Sequence, residues 1–110
     1  MTAKHAAEAR LLEIATRKTR YQRWLAQHGD RLAAHHPDVA AEARSIVEAR
    51  FMAEQPHTLT DADLHGCRMR VATRLRIKRY GPCTDDEETG RQLRECLAAL
   101  DAHAPASEAA

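Results

Sequence analysis

Between Arg68 and Arg79 every charged side chain is a cation: Arg68, Arg70, Arg74, Arg76, Lys78 and Arg79. A guanidinium presents a rigid fork of N–H donors that fits phosphate oxygens and guanine edges, so such a run can neutralise several phosphates of DNA or RNA. The same run can instead meet an acidic protein surface, or stand in water as a solvated helix face. Pairing within the chain, or between subunits, with Asp85 to Glu88 and Glu95 is a further reading of the same residues. A second cluster, Arg17, Lys18, Arg20 and Arg23, interleaves its cations with Tyr21 and Trp24. Cations among aromatics stack on bases or anchor a protein interface. Tyr21 also continues an apolar stripe, and that reading is preferred: the rings line the core and the cations snorkel outward.

Other chemistries find less support. His65, Cys67, Cys83 and Cys96, with His57, are the only residues that suggest zinc. Structural sites use pairs spaced C-x₂₋₄-C or H-x₃₋₅-H, whereas His65 and Cys67 are separated by one residue. No metal or other cofactor is therefore expected. There is no Gly-rich phosphate loop, no HExxH and no G-x-S-x-G. The seven histidines are scattered, and no nucleophile, base and pocket can be assembled from them, so no enzymatic activity is expected.

The elements that carry these residues read as four helices. The first spans about Thr2 to His28 with the stripe Ala7, Leu11, Ile14, Tyr21 and Leu25, and Gly29 looks like its stop. The second opens at Pro37-Asp38, buries Val39, Ala43, Ile46, Val47 and Phe51, and closes at Gln55-Pro56. The third starts at Thr60 as N-cap, with Asp61 and Asp63 in its first turn, and stops at Gly81-Pro82. The fourth has Thr84 and Glu87 in capping-box spacing and a stripe of Leu93, Cys96, Leu97 and Leu100.

The third segment has a competing reading. From Cys67 to Lys78 apolar and basic residues largely alternate, which is the period of a strand with one basic face. A strand must pair its backbone groups, and no second strand is visible. Residues 67–79 as a strand would therefore need an intermolecular ribbon in a dimer. The start and stop signals fit one helix of about 20 residues, rich in good helix formers, and that is the preferred reading.

Composition bounds what these elements can build. Of 110 residues 22 are Ala, half of the nominal hydrophobic fraction of 44%. Leu, Ile, Val and Phe number only 17, and aromatics four, too few for a β-sandwich or barrel. The net charge of +1 conceals strong segregation: +4 over residues 1–35, −2 over 36–59, +4 over 60–81 and −5 over 82–110. No run of 18 apolar residues could span a membrane, and no signal peptide is recognisable, so the cytoplasm is the expected location. Three widely spaced cysteines suit reduced thiols.

The expected fold is all-α, a small bundle of four main helices in one domain over residues 1–104, with a frayed tail at 105–110. Its expected core is Leu11, Ile14, Leu25, Ile46, Val47, Phe51, Leu64, Val71, Leu75, Leu93, Leu97 and Leu100. The expected function is that of a small regulatory or accessory protein contacting DNA or RNA through residues 68–79, aided by Arg17, Lys18, Arg20 and Arg23. The alternative is a protein-interaction module, an adaptor or inhibitor, using the basic helix or the acidic 85–95 stretch. A dozen large core side chains is thin for this length, so homodimerisation or a hetero-complex is expected to contribute stability.

Overall fold

A computed structural model describes residues 3–103. It contains four α-helices and, among the described residues, no strand: α1 (Ala3–Ala33), α2 (Pro37–Met52), α3 (Asp61–Tyr80) and α4 (Asp86–Asp101). The all-α expectation holds, and the ribbon alternative for residues 67–79 falls. The tail expected to fray at 105–110 lies outside the described residues.

The reason α3 is helical is local. The Thr60 hydroxyl accepts the Asp63 N–H at 3.1 Å, while the Asp63 carboxylate accepts the Thr60 N–H at 2.9 Å. This reciprocal cap satisfies two donors that a helix start leaves orphaned. At the other end Gly81 adopts φ 75°, a backbone that side chains rarely tolerate, and its N–H closes on the Ile77 carbonyl. Leu64, Cys67, Val71 and Ala72 are buried between these signals, and the arginines fall outside that stripe.

Two boundaries differ from expectation. Helix α1 runs through Gly29 to Ala33 rather than stopping there. Glycine costs a helix interior about 1 kcal/mol, but continuing the helix buries Leu32 to 2% exposure. Burying a leucine is worth roughly 1.5–3 kcal/mol, so packing outweighs propensity. In α4 the N-cap is Asp85, not Thr84. Its carboxylate accepts the Glu87 N–H at 3.0 Å and the Glu88 N–H at 3.5 Å. One ionised acceptor serving two donors displaces the hydroxyl.

Packing follows chain order: α1 lies on α2, α2 on α3, and α3 on α4. Helix α2 is covered on two sides, which its small residues allow; Ala40, Ala43 and Val47 are at 4% exposure or less. Leu59, in the connection to α3, is also buried. The expected core is right for Val47, Leu64, Val71 and Leu100, whereas Leu25, Ile46, Phe51, Leu75, Leu93 and Leu97 are only partly buried and pack against it. It is wrong for Leu11, which is 66% exposed. Tyr21 and Trp24 join the core, as the preferred reading of their cluster had it.

The error at Leu11 reflects the shape of the molecule. The described chain measures 61 × 39 × 21 Å. A 31-residue helix is about 46 Å long at 1.5 Å per residue, and only its second half is needed to cover α2. From Ala3 to Glu13 every residue is exposed.

Candidate interaction surfaces

The α3 arginines are for the most part already engaged. Arg68 holds Asp101 through two parallel bonds, Nε to Oδ1 at 2.9 Å and Nη2 to Oδ2 at 2.7 Å. Arg70 and Arg74 share the Glu42 carboxylate, at 3.3 and 2.7 Å. Arg76 donates to the Gln92 side-chain oxygen at 3.2 Å and to the Gly81 carbonyl at 3.5 Å. Helix α3 is thereby tied to α2 on one side and to α4 on the other. Burial pushes the Glu42 carboxyl up, but the hydrogen bonds from Arg74 and Arg70 outweigh it and hold the carboxyl below its ordinary range.

Two cations of the run are placed differently. Arg79 lies against the Tyr80 hydroxyl. Lys78 has no carboxylate partner among the described residues and borders a shallow groove with His36, Asp38, Val71 and Leu75. The acids expected to answer the run do other work. Asp85 caps α4, Glu88 pairs with Arg91, and Glu95 accepts from Arg91 and from the Tyr80 hydroxyl. The partners are Glu42 and Asp101 instead, two residues that no local signal marks.

A comparable pin joins the end of α2 to the start of α3. Arg50 grips Asp63 through Nη1 to Oδ2 at 2.9 Å and Nη2 to Oδ1 at 2.8 Å, and also donates to the Thr58 carbonyl. The Arg50 bonds, then the Thr60 backbone bond, hold the Asp63 carboxyl well below the usual carboxylate range.

The α1 cluster divides. Arg17 donates to the Met52 carbonyl at 2.9 Å and faces Glu54 at 3.2 Å and Glu13 at 3.9 Å. Tyr21 and Trp24 are buried, with Tyr21 tilted against Phe51 and Trp24 stacked on His28. Lys18, Arg20 and Arg23 are exposed and have no carboxylate partner among the described residues. Arg20 and Arg23 flank an open groove with Trp24, Gln27, Phe51 and His57.

Below this cluster lies an exposed apolar pair, of which Leu11 is a residue expected in the core. Leu11 is 66% and Leu12 70% exposed, on an arm of α1 that extends beyond α2. They flag a surface only once the docking of α2 is known.

The residues considered for zinc do not converge. Cys67 and Cys96 are fully buried in the core, and His65 is exposed. No group of three or more His, Cys, Asp or Glu among the described residues could hold a metal ion. Burial also pushes the Cys67 thiol up, away from the reactive thiolate. No helix among the described residues is long and apolar enough to cross a membrane. The chain matches no family profile, no curated protein and no solved structure.

Proposed function

We propose that this chain is a non-enzymatic protein-interaction module of the cytoplasm, regulatory or accessory in role, which docks through the first half of α1. The observation that carries this reading is the exposure of Leu11 and Leu12, at 66% and 70%, on a helical arm with every residue from Ala3 to Glu13 exposed. Covering one such leucine is worth roughly 1.5–3 kcal/mol, and a preformed helix offers it at little ordering cost. A basic α3 or an acidic 85–95 stretch fits the docking role less well, because most of those charges are answered inside the molecule. Three free cysteines are consistent with a reducing compartment.

The test is affinity capture by the intact chain and by a Leu11→Asp/Leu12→Asp variant, each with and without nuclease. A partner retained after nuclease and lost with the variant supports the module. A partner set unchanged by the variant counts against it.

Nucleic-acid binding is the second reading. Its support is four exposed cations of the two candidate clusters that have no carboxylate partner among the described residues: Lys18, Arg20 and Arg23 on α1, and Lys78 on α3. Contact through these and Arg79 would neutralise phosphates without reading bases. Affinity would then fall steeply with salt, the logarithm of the constant dropping by about 0.9 per phosphate for each decade. Arg20→Ala/Arg23→Ala would weaken it, and no binding at low salt would reject it.

A further inference from the structure

One seam of residues runs the length of α1. Tyr21, Leu25, His28 and Leu32 alternate in steps of four and three, and three of them are packed or half-packed against the body, with Trp24 beside them. Continuing the same alternation towards the N-terminus selects Lys18, Ile14, Leu11, Ala7 and Lys4. This is a heptad pattern, the signature of a helix that pairs with another helix along one face. The upper part has its second helix: Tyr21 is 6% exposed and Leu32 2%. Along the lower part the cover runs out: Ile14 is half-buried and Leu11 is 66% exposed. The period does not change where the cover ends.

We propose that the lower half of α1 pairs antiparallel with the same segment of a second copy of this chain, Leu11 of each copy lying over Ile14 of the other. The proposal rests on the reading of the α1 arm as a docking element and names its occupant. Charge decides both the occupant and the direction. A parallel pair would stack Lys4 on Lys4 and Lys18 on Lys18 within the seam, and like charges facing each other are unfavourable. It would also set the two helical bodies side by side at one end. In the antiparallel pair Lys18 lies over Ala7, whose small side chain leaves room for the lysine stem. The ammonium then reaches Glu8, the next residue along, and the two-fold axis makes this pair twice. Arg10 and Arg17 share the opposite flank, where Arg17 is already answered by Glu54 and Glu13 of its own chain. Leu12 points away from the seam by more than a third of a turn and takes no part.

The same register sets Lys4 opposite Tyr21, whose face α2 already covers, so the seam contact is limited to residues 7–18, about 12 residues or roughly 18 Å of helix. That is less than the seam of a tight dimer, whose interface buries about 1,200–2,000 Å², so the association is a reversible monomer–dimer equilibrium.

Sedimentation equilibrium of the full chain tests it, at concentrations rising to about 1 mM so that dissociation constants as weak as this register. The wild type is expected to shift from monomer to dimer across the range. Leu11→Asp is expected to stay monomeric, and Leu12→Asp to dimerise like the wild type, with far-ultraviolet circular dichroism verifying that both keep their helices. Glu8→Lys is expected to weaken dimerisation several-fold and Glu8→Lys/Lys18→Glu to restore it. Lys18→Ala separates the directions, since it weakens an antiparallel pair but relieves repulsion in a parallel one. A monomer at every concentration overturns the proposal, as does equal loss from Leu11→Asp and Leu12→Asp, or a Lys18→Ala chain that dimerises more tightly. If the chain is monomeric while nuclease-resistant capture still depends on Leu11 and Leu12, the second copy is the wrong occupant and the docking reading stands. If both fail, both fall.

Discussion

Helices α3 and α1 each carry a cluster of cations, and apart from Arg17 the structure treats the two clusters in opposite ways. Four α3 arginines meet Asp101, Glu42 or Gln92 and join three helices into one body. On α1, Lys18, Arg20 and Arg23 meet no carboxylate among the described residues, and Leu11 and Leu12, further towards the N-terminus of the same helix, stand in solvent. Charge density along a sequence therefore does not distinguish a binding surface from an internal clamp. What distinguishes them is the supply of acceptors on the neighbouring helices, and α1 is long enough to pass beyond its neighbour.

The sharpest way to break this contrast is one substitution made twice in one helix. Leu32→Ala, at 2% exposure, is expected to cost about 2–4 kcal/mol as a cavity-forming change. Leu11→Ala on the same seam is expected to leave unfolding of the monomer unchanged. Urea denaturation at low concentration checks both, and a similar loss at the two positions would mean that the arm is covered within a single chain.

Next in size is the Arg50–Asp63 pin. Asp63→Ala removes a bidentate charge pair and half of a capping box, an expected loss of about 2 kcal/mol. The Asp63 carboxyl is held below its ordinary value in the folded state. Its contribution is therefore fully present above the unfolded value of about 3.9 and is lost as pH falls towards the folded value. Denaturation at a series of pH values is expected to show a shallower acid loss for Asp63→Asn than for the wild type.

Glu42 tests the clamp itself. Arg70 and Arg74 are about half exposed, so solvent screens the pairs and Glu42→Gln is expected to cost no more than about 1 kcal/mol. A change that left stability untouched while improving binding of a polyanion would release these arginines from the clamp and reopen α3 as a surface. The smallest expected effect is that of Arg20→Ala and Arg23→Ala, whose melting curves are expected to overlay the wild type. A clear loss would place these two among the structural cations.

What the sequence made legible was decided within a few residues of itself. The Thr60–Asp63 cap, the stop at Gly81 and the stripe through Cys96 and Leu100 all depend on neighbours a turn or so away. Gly29 and Thr84 misled because a distant burial or a better adjacent acceptor overrode a local preference. The clamp was beyond reach for the same reason, since Glu42 lies 28 residues from Arg70 and Asp101 lies 33 from Arg68. Leu11 misled because periodicity shows that a helix has an apolar face without showing what covers it.

The chain-order packing of the four helices has a kinetic consequence. Each helix finds its main neighbour one short connection away, so collapse closes only small loops and meets little entropic delay. Assembly can begin at either hairpin, α1 with α2 or α3 with α4, and finish when α2 meets α3. Such a chain belongs with the fast-folding helical proteins, which reach the native state in microseconds to milliseconds. Stopped-flow or temperature-jump relaxation would place it on that scale.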